Sequence, residues 1–347
     1  MVDLAGLERD VDAILAEYGA VTDDEMRRVL GAPKAVGTLY DMMRFHLGWT
    51  DESFRAVSKG RGKRFRPAMC LLTCEALGGD RGRALPAAAA IELVHNFSLI
   101  HDDIEDGDRV RRGRPTVWAL WGVPQGINTG DGMHALANLA ALDLRERGVD
   151  DGDTLAVVEV LDHAILELCE GQHLDLANET RDITAGEYLE VITRKTAALI
   201  ECATHIGSIL ATHDPITRDK FRRFGRTLGL AFQIRDDVLG VFSPEKLGKE
   251  GSSDILRKKR NLPYLMALEH SPKADRLRAI YSQETLTAAD EREVLGIFEQ
   301  AGVQARCKEA AQKHESEAFQ VLADLGAPNT ATQRLLKVAQ FLVWRER

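Results

Sequence analysis

Apolar residues recur at helical spacing along almost all of this 347-residue chain, and no alternating pattern of useful length interrupts them. That periodicity limits the fold more than any other feature, because a helix-period pattern does not settle as a sheet. Aromatic residues, which strands favour, are only 6%. The pattern predicts helices over about 3–18, 36–47, 64–78, 84–106, 126–147, 153–178, 185–212, 216–242, 260–269, 286–301, 304–325 and 330–345. The breaks are short, as at Gly78-Gly79-Asp80 and His213-Asp214-Pro215, and the sequence holds no long linker, low-complexity block or clear internal repeat. Length alone would suit two average domains; the pattern favours one all-α domain over residues 1–347.

Composition narrows the function. With 44% hydrophobic and 29% charged residues the chain can bury a large core and remain in solution. A net charge of -9 argues against a general binder of nucleic acid or anionic membranes. No run of about 18 apolar residues occurs, so no segment is expected to span a membrane. The start, Met1-Val2-Asp3-Leu4-Ala5, has neither a basic stretch nor an apolar signal core, which leads us to expect a cytoplasmic protein. The five cysteines are odd in number and fit reduced thiols. Cys70 and Cys74 have no second pair at zinc-like spacing and read as core residues.

Two predicted helices carry apolar runs that end in carboxylates. Leu93, Val94, Phe97 and Ile100 lead into Asp102-Asp103-Ile104-Glu105-Asp106, and Leu228, Leu230, Phe232 and Ile234 lead into Asp236-Asp237. Acids set among core-forming residues cost free energy unless a cation compensates them. Asp102 and Asp106, four apart, share a helix face and repel, which calls for a cation between them. Oxygen donors with no nearby His/Cys cluster favour magnesium over zinc. His95 and Ser98 lie on the same stripe as Asp102 and Asp106.

Basic clusters accompany the acids. Arg109-Val110-Arg111-Arg112-Gly113-Arg114 follows the first, and arginine suits bidentate contact with phosphate. Gly248-Lys249-Glu250-Gly251 and Lys258-Lys259-Arg260 follow the second. A third, Gly60-Arg61-Gly62-Lys63-Arg64-Phe65-Arg66-Pro67, precedes an apolar helix and suits an anion. Gln233, Asp236 and Asp237 share i, i+3, i+4 spacing. Two acidic and three basic clusters suffice for two diphosphates and several metal ions.

In this order the motifs resemble those of the trans-isoprenyl diphosphate synthases, the polyprenyl synthetase family, from about Gly62 to Pro263. Asp102-Asp103-Ile104-Glu105-Asp106 resembles the first aspartate-rich motif, followed by Arg111-Arg112-Gly113. Gly171-Gln172, Asp175-Leu176, Tyr188 and Lys195-Thr196 match further positions, and Phe232-Gln233-Ile234-Arg235-Asp236-Asp237 resembles the second aspartate-rich motif. The resemblance implies the helical bundle of the isoprenoid synthases. It implies magnesium, three ions per active site, on Asp102, Asp106 and Asp236, with Asp103 and Asp237 close by. Arg111, Lys195, Thr196, Gln233, Lys249 and Lys259 would hold the allylic diphosphate; Lys63, Arg66, His95 and Arg112 would hold isopentenyl diphosphate. It also implies a homodimer. Three positions depart from the pattern: Gly240 for the last acid of the second motif, Lys258 where glycine is usual, and Asn261 where threonine is common.

The activity implied is prenyl transfer by ionisation, condensation and elimination in a dry apolar chamber. The Phe97-Ser98 pair before Asp102 resembles members that stop at twenty carbons, with Ser98 letting the tail pass and Phe97 forming part of the floor. Two other readings share parts of the pattern. A class I terpene cyclase would not need Lys63, Arg66, His95 and Arg112; a non-catalytic partner subunit would not need both Asp pairs.

Overall fold

Helices make up almost all the regular structure in the computed structural model, which describes residues 4–31, 36–57, 62–179, 181–243, 254–325 and 328–344. In chain order they are α1 (Leu4–Leu30), α2 (Gly37–His46), α3 (Phe65–Ala76) and α4 (Arg81–Glu105), then a hairpin of β1 (Val110–Arg111) and β2 (Arg114–Pro115). After it come α5 (Val117–Trp121), α6 (Val123–Leu142), α7 (Asp151–Asn178), α8 (Ala185–Ile192), α9 (Ala198–Ile209) and α10 (Pro215–Phe242). The chain continues with α11 (Leu262–His270), α12 (Ala274–Tyr281), α13 (Ala288–Gln300), α14 (Val303–Ala323) and α15 (Thr330–Trp344). No helix among the described residues is long and apolar enough to cross a membrane.

The two helices that carry the acids start at strong local signals. Asp80 caps α4 by accepting from the Gly82 N–H at 2.8 Å. Asp214 caps α10 by accepting from the Ile216 and Thr217 N–H groups, and Pro215 takes the first helical position. Both helices are mostly buried. One apolar cluster gathers side chains from α1 to α4, α6, α7, α9, α15 and the middle of α10, including Phe221, Phe224 and Leu228. A second gathers α8, the last turns of α10 at Ile234, Val238 and Val241, and α11 to α14. The acids of α10 therefore stand at the seam between the two.

The predicted helix over 185–212 is interrupted. Thr193–Ala197 forms a wide π-helical turn between α8 and α9. It is held by two glycines that nothing larger could replace: a Cβ on Gly171 of α7 would come 2.3 Å from the Lys195 backbone nitrogen, and one on Gly229 of α10 would come 2.6 Å from the Ala197 Cα. Such turns recur at functional sites, and this one carries Lys195 and Thr196.

Other expectations also change. The first helix runs past Gly19 to Leu30 because tertiary pairs extend it: Asp23 with Arg64, Glu25 with Arg147 and Arg28 with Asp143. The helix expected over 126–147 starts earlier, as α6 at Val123, and gives way to a 3₁₀ turn at Asp143–Arg147; the short α5 before it was not expected. Helix α12 was not expected; its eight residues bury Leu277, Ile280 and Tyr281. Cys70 and Cys74 are buried, unbridged residues of α3.

Candidate functional site

The acids of α4 lie at its C-terminal end, which is doubly unfavourable. Burial disfavours their charge, and the helix already presents unpaired carbonyls there. Burial and the neighbouring Asp102 push Asp106 up to about 6, against the pull of Lys195 and Lys259. Asp103 is only 1% exposed, and burial raises it to about 6 although Arg111 opposes the shift.

Cations answer these acids from three directions. Arg111 donates through Nε to Asp103 at 2.6 Å and through Nη2 to Asp102 at 3.0 Å. Lys195 donates to Asp175 at 2.6 Å and stands 3.5 Å from Asp102. Burial alone would lower the Lys195 pKa, but Asp175 and Asp102 outweigh it and raise it. Lys259 acts on Asp106 from the segment after α10.

On α10, Asp237 is buried and bonded on both oxygens. Tyr188 Oη donates to Oδ2 at 2.7 Å, Gln233 Nε2 donates to Oδ1 at 2.9 Å, and the Leu262 N–H approaches Oδ2 at 3.4 Å. Burial lifts Asp237 to about 6, while the bonds from Tyr188 and Gln233 oppose the rise. With its amide nitrogen committed to Asp237, Gln233 accepts from Thr196 through its oxygen at 3.0 Å. Asp236, half-buried, shares this end of α10 with its own interactions. At the departure Gly240, the carbonyl accepts from the N–H of buried Asp254, which brings another carboxylate near Asp237.

The hairpin divides two adjacent arginines between two places. Its loop is Arg112-Gly113, both with positive φ (53° and 71°), as a tight two-residue turn of primed type requires. Arg111, in the strand, faces the acids of α4. Arg112, in the turn, lines a separate cavity of about 440 Å³ with Lys63, Arg66, His95, Glu92, Phe232 and Phe341. In that cavity Arg66 Nη1 donates to His95 Nε2 at 3.2 Å. Burial and the arginines Arg66, Arg112 and Arg111 hold the His95 pKa far below its ordinary value, so the ring is neutral. Burial also pulls Arg66 down to about 10, with Glu92 opposing the fall and Arg112 adding to it.

Arg64 sets the frame of this cavity. It adopts a left-handed backbone (φ 51°) at the N-cap of α3 and is 4% exposed. Its guanidinium donates to Asp23 at 3.0 Å, Glu92 at 2.8 Å and the Leu47 carbonyl at 3.0 Å. Lys63 and Arg66 are thus aimed from either side of a buried three-way anchor.

The sequence-predicted residues therefore fall into two groups. Asp102, Asp103, Asp106, Arg111, Lys195 and Lys259 form one; Thr196, Gln233 and Asp237 join them through the π turn and α10. Lys63, Arg66, His95 and Arg112 form the other. Lys249 lies outside the described residues. Phe97 is buried and faces α6, stacked on His134 with centroids 5.0 Å apart and edge-on to His101. Ser98 donates to the His95 carbonyl at 2.9 Å. Lys258 has φ 54°, which explains a preference for glycine there, and donates to the Gln283 and Glu284 carbonyls, away from the acids. Reasoning from the sequence missed Glu92 and Asp23, and gave no role to the Tyr188 hydroxyl; a lone acid inside a helical run gives no sign of its distant arginine.

The oxygen donors suit magnesium. Among the described residues, no group of three or more His, Cys, Asp or Glu is placed to hold a metal ion by itself. Magnesium commonly takes only one or two carboxylates together with substrate phosphates.

Comparison with known proteins shows the family. The polyprenyl synthetase family model matches residues 48–298. The chain belongs to the polyprenyl synthetase family. It is a trans-prenyltransferase with the helical isoprenoid synthase fold. It is 37% identical over 312 residues to (2E,6E)-farnesyl diphosphate synthase of Mycobacterium tuberculosis, covering 88% of this chain and 86% of that one. It is 39% identical over 268 residues to geranylgeranyl diphosphate synthase of the same organism, covering 76% and 75%. The crystal structure of geranylgeranyl pyrophosphate synthetase from Pyrococcus horikoshii superposes with a TM-score of 0.87 at 33% identity, covering 98% of this chain and 99% of that one. Within the polyprenyl synthetase family these relatives span two product lengths by name.

Proposed function

We propose that this prenyltransferase joins isopentenyl diphosphate to an allylic diphosphate (dimethylallyl, geranyl or farnesyl) and releases geranylgeranyl diphosphate and pyrophosphate. The observation that carries the two-substrate reading is the split of Arg111 and Arg112. One faces carboxylates that can share a metal-bound diphosphate; the other faces a cavity whose charge is mainly cationic. The allylic diphosphate belongs with Arg111, Lys195, Thr196, Gln233, Lys249 and Lys259, and isopentenyl diphosphate with Lys63, Arg66, His95 and Arg112.

Asp102, Asp106 and Asp236 would hold magnesium, three ions per site, with Asp103 and Asp237 orienting Arg111 and Gln233. When bound, magnesium supplies electrostatic stabilisation of the leaving pyrophosphate. The chain's own part is to hold and to exclude. Arg111 and Lys195 stabilise charge on the pyrophosphate as the allylic C1–O bond breaks. Arg66 and Arg112 hold the second diphosphate so that its double bond attacks C1, which overcomes the repulsion between the two substrates. The proton lost from C2 goes to the released pyrophosphate, so no side-chain base is needed. Phe232 and the apolar face of α4 keep water away from the cation.

Ser98 and Phe97 support twenty carbons. Ser98 stands one turn from Asp102 on the same face, about 40° away, and is small enough for a tail to pass. The stack of Phe97 on His134 offers a wall beyond it. The sharing of α10 by both apolar clusters supports a single domain. Exposed Ile127, Leu139 and Leu142 on α6 and Leu155 and Leu166 on α7 support a homodimer through those helices. The reading includes a cytoplasmic location; among the described residues, no helix is long and apolar enough to cross a membrane.

Incubation with isopentenyl diphosphate, each allylic diphosphate and magnesium tests the proposal. A C20 prenyl diphosphate is expected. A cyclic hydrocarbon or alcohol, or no product, would refute it.

A further inference from the structure

Helix α15 ends against the cationic cavity. Phe341 and Leu342 line that cavity, and the Lys63 ammonium sits over the Phe341 ring, 5.0 Å from its centroid. Lys63 is 60% exposed along its side chain and also approaches Asp12 of α1 at 3.5 Å. A long, exposed lysine has many rotamers, so the ring beneath it helps decide where its charge stands.

Two residues beyond Phe341, the Val343 carbonyl accepts from Arg235 Nε at 2.7 Å. Val343 is the next-to-last residue of α15 as described, and within Thr330–Trp344 no N–H lies four residues on to meet its carbonyl. It also lies at the negative end of the helix, where a cation is favoured. Arg235 stands on α10 between Gln233 and Asp236, and Phe232, one turn earlier, lines the same cavity. Helix α15 packs on α1, α3 and α10. A continuous chain of contacts therefore runs from α10 through Arg235, the end of α15 and Phe341 to Lys63.

We infer that Arg235 is a positioning residue for the second diphosphate, latching the end of α15 so that Phe341 closes the cavity and keeps Lys63 in reach. This rests on the assignment of that cavity to isopentenyl diphosphate. The latch acts through α15, not on the metal carboxylates beside Arg235. It thus ties the helix bearing Asp236 to the wall of the other substrate's pocket.

The test uses the full chain and five variants: Arg235→Met, Arg235→Lys, Phe341→Leu, Lys63→Ala and the Arg235→Met/Phe341→Leu double variant. Steady-state kinetics are measured with each substrate varied in turn, and isopentenyl diphosphate binding by calorimetry. Arg235→Met is expected to raise both KM and Kd for isopentenyl diphosphate about tenfold. The allylic KM should stay within about twofold. Arg235→Lys should recover most of the loss, and Phe341→Leu should weaken the same substrate. The Arg235→Met/Phe341→Leu double variant should be little worse than the worse single, because both act through one helix end. An equal rise in the allylic KM, or a fall in kcat with unchanged isopentenyl affinity, would overturn the latch, and so would additive effects in the double variant. Should Arg235→Met fail to fold, Phe341→Leu decides alone, and an unchanged isopentenyl Kd overturns the latch. Lys63→Ala separates the two levels of the argument. If it weakens isopentenyl diphosphate while Arg235→Met is silent, only the latch fails; if it weakens the allylic substrate instead, the pocket assignment fails.

Discussion

Replacing Arg112 with methionine should damage one substrate site and leave the other. Its guanidinium lines the cationic cavity, where burial and the neighbouring Arg64 and Arg111 lower its pKa. It is thus a cation that the protein crowds and that an incoming diphosphate would relieve. Loss of a hydrogen bond to a charged group costs about 1.5–3 kcal/mol, equivalent to a rise of about ten- to 150-fold in KM for isopentenyl diphosphate. The allylic KM should change by less than about threefold. Because a crowded like charge has been removed, the melting temperature should hold or rise. Arg111→Met should do the reverse on both counts. It should weaken the allylic substrate, and it should destabilise the fold by about 3 kcal/mol, because buried Asp103 loses the 2.6 Å partner that compensates it. Kinetics with each substrate varied, together with thermal melts of both variants, check all four outcomes. If both variants raise the same KM, the hairpin does not divide the two diphosphates and the reasoning fails.

Three further outcomes follow from the site. Asp102→Asn and Asp236→Asn should each lower kcat by about a hundredfold or more while circular dichroism stays that of the native helices; near-native turnover in either would remove that residue from the metal set. His95 is held neutral, its pKa well below the ordinary 6.5, so the unfolded chain takes up a proton there that the folded one refuses, and stability falls as pH drops below about 6.5. His95→Gln should remove up to about 1.4 kcal/mol per pH unit of that slope between about pH 6.5 and 5, read from urea midpoints; an unchanged slope would mean that His95 is not held neutral. Ser98→Phe should shorten the product to fifteen carbons, and Phe97→Ala, by opening the stack on His134, should lengthen it beyond twenty; chromatography of dephosphorylated products reads both, and unchanged lengths would place the floor elsewhere.

Much of this architecture is legible in the sequence because helical period and clustered charge are local signals. The acid-bearing helices follow from spacing alone, and Arg111 from its place just after the first acids. What escapes is set by distant partners. The repulsion between Asp102 and Asp106 calls for positive charge, and the protein itself supplies some of it through Arg111 and Lys195. Asp237 reads as a twin of Asp236, whereas it is buried in bonds from Tyr188 and Gln233. Arg64 reads as one more basic residue of a phosphate loop, but it is the buried anchor of Asp23 and Glu92. The β1–β2 hairpin is too short for an alternating pattern to betray it. The π turn depends on how closely Gly171 and Gly229 approach it. The sequence pattern groups Lys258 with Lys259, yet the left-handed backbone at Lys258 sends its side chain elsewhere.

The central claim is that two diphosphates bind in two pockets of different chemistry, one needing metal and one not. Calorimetric titration of isopentenyl diphosphate, and separately of a non-ionising allylic diphosphate analogue, with and without magnesium, tests it directly. Isopentenyl diphosphate should bind with a Kd that changes less than about threefold when magnesium is removed, because the cavity proposed for it offers Lys63, Arg66 and Arg112 and its carboxylate, Glu92, is already paired with Arg64. The allylic analogue should lose at least about tenfold, because Asp102, Asp106 and Asp236 repel its diphosphate unless cations lie between them. Equal dependence on magnesium for both ligands would contradict the account.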